Sequence, residues 1–179
     1  MIKILSGTYR SRNILTPDEG TEPTKNRVRE AVMSAVYPYI QGATVLDLFA
    51  GSGALGIEAL SRGAKKAYFV DVAKRATDVI HKNLDTLKER NGVVLNMSFM
   101  EAIATFHEPF DLVFLDPPYA MKDSYQQAID ALCARALLKE DSAVVVEYEG
   151  QLELRTEAFS SRRDYTYGKT KVILLKKQS

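Results

Sequence analysis

Short apolar runs alternate with helical patterns along most of this chain, and that alternation constrains the fold more than any other feature. Strand–helix–strand repeats of this kind form parallel sheets with helices on both faces. Two strands without an intervening helix close the pattern, which predicts an antiparallel hairpin at one edge. The seven predicted strands span residues 44–49, 67–70, 93–95, 110–115, 143–147, 152–155 and 171–175.

The residues before this pattern predict a small N-terminal extension. A short strand is expected over residues 3–5, and a helix is expected to begin near Pro23. Apolar residues follow at helical spacing until Pro38, which cannot continue the helix. We therefore predict an α/β, Rossmann-like fold in one domain, residues 1–179, with an extension (1–40) and a core (41–179).

Composition narrows the class of protein. With 179 residues, of which 46% are hydrophobic, the chain suits one globular domain with a real core. No apolar run reaches the roughly 18 residues of a membrane span, and the first residues do not resemble a signal peptide. One cysteine and two histidines argue against an internal disulfide and against a metal site. We expect a cytoplasmic protein without membrane association and without a bound metal.

Three predicted strands end in residues that suit a ligand site. Gly51–Gly53 follow the first strand, Asp71 follows the second, and Asp116–Tyr119 follow the fourth. Ligands of open α/β sheets bind at the carboxyl ends of the strands. The three segments are therefore expected to line one crevice.

The first segment belongs to a G-x-G-x-x-G motif formed by Gly51, Gly53 and Gly56. Asp71 stands twenty positions after Gly51, where a carboxylate can accept hydrogen bonds from ribose hydroxyls. NAD and S-adenosylmethionine (SAM) would both use these features. Asp47 favours SAM, because its carboxylate would repel a pyrophosphate and attract an ammonium or a sulfonium. Asp47 could equally brace the loop by a hydrogen bond, and both roles can coexist.

The second motif, Asp116-Pro117-Pro118-Tyr119, suits chemistry at an exocyclic amine of a base. The lone pair of such a nitrogen is delocalised into the ring, and two acceptors on its N–H groups would release it. The Asp116 carboxylate and the Pro117 carbonyl can be those acceptors, while the prolines stiffen the loop. Tyr119 offers a ring for stacking, worth about 1–3 kcal/mol. Methyl transfer then needs no strong general base.

Together these motifs resemble class I SAM-dependent methyltransferases that modify exocyclic amines. More narrowly, the chain resembles the RsmD family, which methylates the N2 of a guanine in 16S ribosomal RNA. The stretches that carry the resemblance are Pro23-Thr24 with residues 27–30, then residues 46–64, then residues 110–119.

The resemblance implies SAM as cofactor and 16S rRNA as partner, either free or within a small ribosomal subunit, and we expect a monomer. The candidate catalytic residues are Asp116, Pro117, Pro118 and Tyr119. The candidate cofactor-binding residues are Asp47, Phe49, Ala50, Gly51, Ser52, Gly53, Asp71, Val72, Ser98 and Phe99. Ser98 stands where the family often has an acidic or amide residue, and Glu22 replaces the arginine of an Arg-Pro-Thr sequence.

Charge is unevenly distributed although the whole chain carries only +1. Residues 1–30 carry a net +2 and residues 162–179 a net +5, so the middle is acidic. Basic ends suit contacts to RNA phosphates. The candidate substrate-binding residues are Arg10, Arg12, Thr24, Arg27 and Arg29. Lys176 and Lys177 are expected to be solvated surface residues instead.

Three other functions remain open from the sequence. The Pro-Pro-aromatic motif also suits an adenine-N6 DNA or RNA methyltransferase or a protein glutamine methyltransferase, although we see no extra target-recognition domain. An NAD-dependent oxidoreductase would leave the Asp116–Tyr119 loop unexplained. A non-catalytic RNA-binding module could keep the same fold. Cys133 lies among apolar residues and is expected to be part of the core, which disfavours cysteine-dependent methylation of carbon 5 of a base.

Overall fold

The fold is a seven-stranded sheet between two layers of helices, with a small two-stranded sheet on one side. The computed structural model describes residues 1–17, 23–118 and 120–177, and the side chains of Pro23 and Thr24 lie outside that description. The strands are β1 (Ile2–Lys3), β2 (Asn13–Ile14), β3 (Thr44–Asp47), β4 (Lys66–Asp71), β5 (Gly92–Asn96), β6 (Phe110–Leu115), β7 (Leu138–Glu149), β8 (Ser161–Tyr167) and β9 (Thr170–Lys176).

Five α-helices connect these strands. They are α1 (Pro23–Ala35), α2 (Ala54–Ser61), α3 (Lys74–Leu87), α4 (Phe99–Thr105) and α5 (Ser124–Ala134). A short 3-10 turn, Tyr37–Tyr39, follows α1, where Pro38 ends the helical pattern. The helix predicted from Pro23 is therefore confirmed.

The main sheet has the strand order β5-β4-β3-β6-β7-β9-β8. The first five strands are parallel, and β9 is antiparallel to both of its neighbours. The order reverses between β3 and β6, and ligands of doubly wound sheets bind at such a switch point. The predicted fold class, a mostly parallel seven-stranded sheet with an antiparallel edge, is confirmed.

The hydrophobic core has two layers, one on each face of the sheet. One layer packs α1, α2, α3 and the β1–β2 hairpin against the sheet, with Val32, Ile57 and Ile80 fully buried. The other packs α4 and α5, with Ile103 and Leu132 fully buried. Since β1 and β2 share a layer with α2 and α3, the N-terminal hairpin is packed directly against the helices that follow β3 and β4.

One strand was predicted in the wrong place. Residues 152–155 form no strand, and the backbone N–H of Arg155 donates to the Gln126 side chain at 2.8 Å. The edge strand is β8 instead, paired with β9 from Ser161↔Lys176 to Tyr167↔Thr170. Leu152 and Leu154 alternate with polar residues, as in a strand, because both side chains pack against the α5 layer although their backbone is irregular. The strand β8 lacks an apolar pattern because its first four residues are all exposed.

Candidate active site at the carboxyl edge of the sheet

Asp47 ends β3 and holds the start of α2. Its side chain is only 2% exposed, and its Oδ2 accepts a hydrogen bond from the Gly56 N–H at 3.2 Å. Burial, reinforced by the charges of Asp116 and Asp71, raises the pKa of this carboxyl to about 7 despite that bond. The bracing role considered for Asp47 is therefore confirmed. A buried carboxylate of this kind favours a cation as its neighbour.

The loop between β3 and α2 exposes backbone where a ligand can approach. Gly51 and Gly53 have φ angles of +56° and +81°, a region that side chains disfavour. A Cβ built on Gly51 would meet nothing within 4 Å, whereas one built on Gly56 would meet Phe69 at 2.4 Å. The first glycine therefore faces open space, and the third allows α2 to pack closely on β4.

Asp71 links this loop to the end of β4. Its Oδ2 accepts from the Gly51 N–H at 2.9 Å, and its Oδ1 accepts from the Ala73 N–H at 2.9 Å. Asn96 donates to the carbonyls of Asp71 and Val72 at 3.1 and 3.0 Å. Val72 itself is 70% exposed, although valine is usually buried. The structure thus fixes the Asp71 carboxylate beside the glycine loop and leaves an apolar side chain uncovered next to it.

Ala50, Phe49 and Phe99 add an apolar wall. Ala50 is buried and its N–H donates to the Val70 carbonyl at 2.9 Å. The rings of Phe49 and Phe99 lie 5.2 Å apart, and Phe99 is 9% exposed. Ser98 caps α4, because its Oγ accepts from the Glu101 N–H at 3.2 Å. Its hydroxyl proton remains available as a donor.

Asn83 is a buried residue that the sequence motifs did not indicate. Its side-chain N–H groups donate to the Ser52 carbonyl at 3.1 Å and to the Leu15 carbonyl at 2.9 Å. Its Oδ1 accepts from the Leu15 N–H at 2.7 Å. Asn83 therefore ties the glycine loop to the N-terminal extension. A polar residue on the apolar face of α3 was the available signal.

The loop after β6 carries the predicted catalytic residues. Asp116 and Pro118 are exposed and Pro117 is buried, while Tyr119 lies outside the described residues. The Met121 N–H donates to the Pro118 carbonyl at 2.9 Å and closes the turn. Protein packed around the Asp116 carboxyl raises its pKa to about 6, a rise that nearby Lys25 opposes and Glu149 reinforces. Asp116 therefore opens to the crevice yet is poorly hydrated on its other side.

Glu147 belongs to the same cluster, although no sequence motif points to it. Leu115 of β6 pairs in parallel with Val146 of β7, so Asp116 and Glu147 are the next residues on adjacent strands. Burial, reinforced by the negative charge of Asp116, raises the pKa of Glu147 to about 8. Tyr125 on α5 donates to the Glu147 carbonyl at 2.6 Å and holds this end of β7.

Lys25 brings a positive charge from α1 to these carboxyl groups. Its charge lowers the pKa of both Asp116 and Glu147. The extension therefore contributes directly to the crevice. The sequence shows Lys25 in the first turn of this helix, next to the Pro23-Thr24 segment. No spacing rule, however, connects Lys25 to Asp116.

Of the candidate substrate residues, Arg10 and Arg27 are exposed, as is Arg12, whose guanidinium donates to the Thr86 carbonyl at 3.1 Å. The prediction that Arg29 contacts RNA is wrong. Arg29 is only 7% exposed, donates to the Lys3 carbonyl at 2.7 Å and lies 3.7 Å from Glu58. Its guanidinium therefore contacts groups inside the fold instead of RNA. The Thr24 side chain and Glu22 lie outside the described residues.

Membrane spans and metal centres are two further features that bear on function. No helix within the described ranges is long and apolar enough to cross a membrane. In the same part of the chain, no group of three or more histidine, cysteine, aspartate or glutamate side chains is arranged to hold a metal ion.

The strand order, the glycine loop after β3 and the carboxylate after β4 define a Rossmann-like fold of the class I methyltransferase type. The model of the family described as Conserved hypothetical protein 95 matches residues 2–176. A Haemophilus influenzae relative, Ribosomal RNA small subunit methyltransferase D, is 39% identical over 87% of this chain and 82% of its own length. The chain therefore belongs to this family, as its resemblance to the RsmD family predicted.

Solved structures agree with this assignment. The yhhF protein of Escherichia coli superposes with a TM-score of 0.89 at 33% identity, covering 99% of this chain and 98% of that one. A 16S rRNA N2 G methyltransferase of T. thermophilus, solved with AdoMet and guanosine, has a TM-score of 0.74 at 23% identity. It is matched over 89% of this chain and 44% of its own length, and the likeness concerns the fold.

Proposed function

We propose that this protein transfers a methyl group from SAM to the exocyclic N2 amine of a guanine in 16S ribosomal RNA. The observation that carries the proposal is the placement of Asp116 and Pro117 directly beyond β6, at the switch point that also holds the glycine loop. Family membership supports the substrate class, because a relative at 39% identity bears the name of a small-subunit rRNA methyltransferase.

The residues of the crevice fit SAM. Three carboxyl groups, those of Asp47, Asp116 and Glu147, have raised pKa values because they are poorly hydrated and repel one another. A cationic ligand relieves that repulsion, whereas a pyrophosphate would increase it. The open space beside Gly51 admits a ligand to the backbone. Bound SAM supplies an electrophilic methyl group on a sulfonium.

Each cofactor-facing residue has a role in this proposal. The Asp71 carboxylate, which already accepts two backbone N–H bonds, keeps acceptor capacity for ribose hydroxyls. Exposed Val72 and the ring of Phe99 cover the adenine, and the Ser98 hydroxyl donates to it. The 49–53 loop lies along the rest of the cofactor.

Asp116 and Pro117 prepare the amine. The carboxylate and the proline carbonyl accept the two N–H groups, which draws the nitrogen lone pair out of conjugation with the ring. Because the two prolines restrict the backbone, this geometry exists before RNA binds. As the nitrogen–methyl bond forms, the carbon–sulfur bond breaks, and the nitrogen loses a proton to Asp116. The exposed side of Asp116 returns that proton to water, and Tyr119 stacks on the base.

Glu147 lies beside Asp116 and acts on its ionisation. Burial raises the pKa of both carboxyl groups, and the negative charge of Asp116 contributes to the rise at Glu147. Ionisation of one group therefore disfavours ionisation of the other, and the pair holds a proton more readily than an isolated carboxyl group. Lys25 lowers the pKa of both groups and so favours the charged state of Asp116.

The proposal also covers the domain organisation, the RNA contacts, the oligomeric state and the location of the protein. Residues 1–179 act as a single domain, and the shared core layer of the β1–β2 hairpin, α1, α2 and α3 supports this. Arg10, Arg12, Thr24 and Arg27 contact the RNA. The protein acts as a monomer in the cytoplasm, on rRNA that is free or assembled in a small subunit.

Calorimetry with SAM and with NAD tests the cofactor. We expect binding of SAM, and binding of NAD alone would refute the proposal in favour of an oxidoreductase. A tritium-transfer assay then uses 16S rRNA, DNA and a glutamine-containing protein as acceptors. We expect label in rRNA only, and comparison of naked rRNA with small subunits identifies the preferred form. Label in DNA or protein would instead support one of the related methyltransferase activities.

A further inference from the structure

Two lysines converge on the turn that follows β7, beside the carboxyl cluster. The Lys171 ammonium donates to the Gly150 carbonyl at 3.0 Å, and the Lys122 ammonium donates to the Gln151 carbonyl at 3.3 Å. A Cβ built on Gly150 would lie 3.9 Å from the Lys122 Nζ. Two ammonium groups from distant parts of the chain are therefore held at consecutive residues of one turn.

This lysine pair lies at the same edge of the sheet as the candidate active site. Lys122 is in the loop that begins at Asp116, and Gly150 comes three residues after Glu147. Tyr148 of β7 pairs with Lys171 of β9, so Lys171 lies at the carboxyl end of the parallel strands. Lys169, at the exposed tip of the β8–β9 hairpin, adds a third positive charge at this edge.

We propose that Lys122 and Lys171 form a binding site for backbone phosphate of the substrate RNA, next to the target nucleotide. The inference rests on the proposed function and specifies where the RNA strand lies. The Lys171 ammonium has three donors and uses one on the Gly150 carbonyl, so it can still donate to phosphate oxygens, and the Lys122 ammonium adds a second positive charge beside it. Among the described residues, no carboxylate oxygen lies within 4.0 Å of the Lys171 Nζ.

The charge pattern explains why the target base and the RNA backbone would lie at different places on this edge. The carboxyl groups of Asp47, Asp116 and Glu147 repel phosphate but accept N–H groups of a base. The lysine pair attracts phosphate. An extruded nucleotide therefore binds most favourably with its base against the carboxyl groups and its flanking phosphates against the lysine pair. Lys171 is also held in place by the Tyr148 ring, whose centre lies 6.0 Å from the ammonium.

The test compares two double variants with the same change of charge. K122M/K171M removes the lysine pair, whereas K65M/K66M removes two lysines at the amino end of β4, on the opposite edge of the sheet. The control pair also includes a lysine above a tyrosine, because Lys66 lies 4.9 Å from the Tyr68 ring centre. Binding of a 16S rRNA fragment is measured by fluorescence anisotropy over a series of salt concentrations.

We expect K122M/K171M to weaken RNA binding about tenfold or more at low salt. Its slope of log affinity against log salt should fall by about 0.7 for each phosphate that the lysine pair no longer neutralises. SAM affinity and the turnover at saturating RNA should stay at the wild-type value, and K122R/K171R should restore binding. A salt slope equal to that of the wild type and of K65M/K66M would overturn the inference. Failure of the wild type to methylate rRNA would instead contradict the proposed function, because the binding assay does not depend on transfer.

Discussion

At the scale of single residues, the candidate site is marked by carboxyl groups near the ends of three adjacent parallel strands, β3, β6 and β7. Asp47 is buried, Asp116 is exposed, and Glu147 lies between these extremes. Burial raises the pKa of all three carboxyl groups above the usual range, so their ionisation changes near neutral pH. Asp47 and Asp116 are identifiable from sequence because each borders a recognisable loop. Glu147 is not, because its role depends on the register of β6 against β7.

Lys25→Met should move the acidic limb of the pH–rate profile to higher pH. Lys25 lowers the pKa of Asp116, so its loss raises that pKa, and the carboxylate forms only at higher pH. Turnover with saturating rRNA and SAM, measured from pH 5 to pH 9, gives the position of the limb. Lys25→Arg keeps the charge and should keep the limb in place. An unmoved limb in Lys25→Met would show that Lys25 does not act on the ionisation of Asp116.

Asp47→Asn should make the free energy of unfolding less dependent on pH. The pKa of Asp47 is about 7 in the fold and near 3.8 in the unfolded chain, so between these values the folded state binds more protons. Stability therefore falls as pH rises through this window, by up to about 1.4 kcal/mol per pH unit for one group. Urea unfolding at pH 5, 6, 7 and 8, without cofactor, measures the slope. Equal slopes in wild type and variant would contradict the raised pKa.

At the scale of elements, α2 connects the candidate cofactor loop with the N-terminal hairpin. Glu58 on α2 accepts from the N–H groups of Leu5 and Ser6 at 3.0 and 3.1 Å. It also pairs at 3.2 Å with Arg62, which lies one helical turn later. Ser61 donates to the Ser6 carbonyl at 2.6 Å. The same helix thus begins at the glycine loop and ends against the extension.

Gly7→Ala should destabilise the protein strongly where the hairpin meets α2. Gly7 has a φ of +87°, and a Cβ there would lie 1.9 Å from the Ser61 carbonyl oxygen, so the hairpin must move. We expect a loss of about 3 kcal/mol, combining backbone strain and displacement. Gly42→Ala is the matched control, because its φ is +73° but its Cβ would meet nothing within 4 Å.

The Gly42 variant should lose only about 1–2 kcal/mol, the cost of the left-handed backbone alone. Denaturant unfolding of both variants measures the difference. Equal losses would mean that the close approach of Gly7 to Ser61 adds nothing to stability.

The elements also show what a sequence pattern can and cannot predict here. The helices and the parallel strands follow from periodicity, because each buries one face or both. The strand β8 could not be found in this way, since an edge strand with exposed charges has no such period. The alternating Leu152 and Leu154 led to the wrong prediction of a strand, because a loop can also bury alternate residues. Arg29 was misassigned because charge alone does not reveal a buried partner such as Glu58.

At the scale of the whole molecule, the net charge of +1 is the sum of two basic ends and an acidic middle of the chain. Both basic ends of the chain contribute to the carboxyl edge of the sheet, through Lys25 on α1 and through Lys169 and Lys171 on the β8–β9 hairpin. The acidic middle supplies the carboxyl groups between them. A low overall charge is therefore compatible with RNA binding at one edge.

The most direct test of the central claim is to identify the nucleoside that the enzyme modifies. Unmodified 16S rRNA, free or in small subunits, is incubated with the protein and isotopically labelled SAM, digested to nucleosides and analysed by mass spectrometry. We predict N2-methylguanosine as the labelled product, and a rate at least about 100-fold lower with Asp116→Ala, whose SAM binding should persist. Label in another nucleoside, or undiminished transfer by Asp116→Ala, would contradict the account.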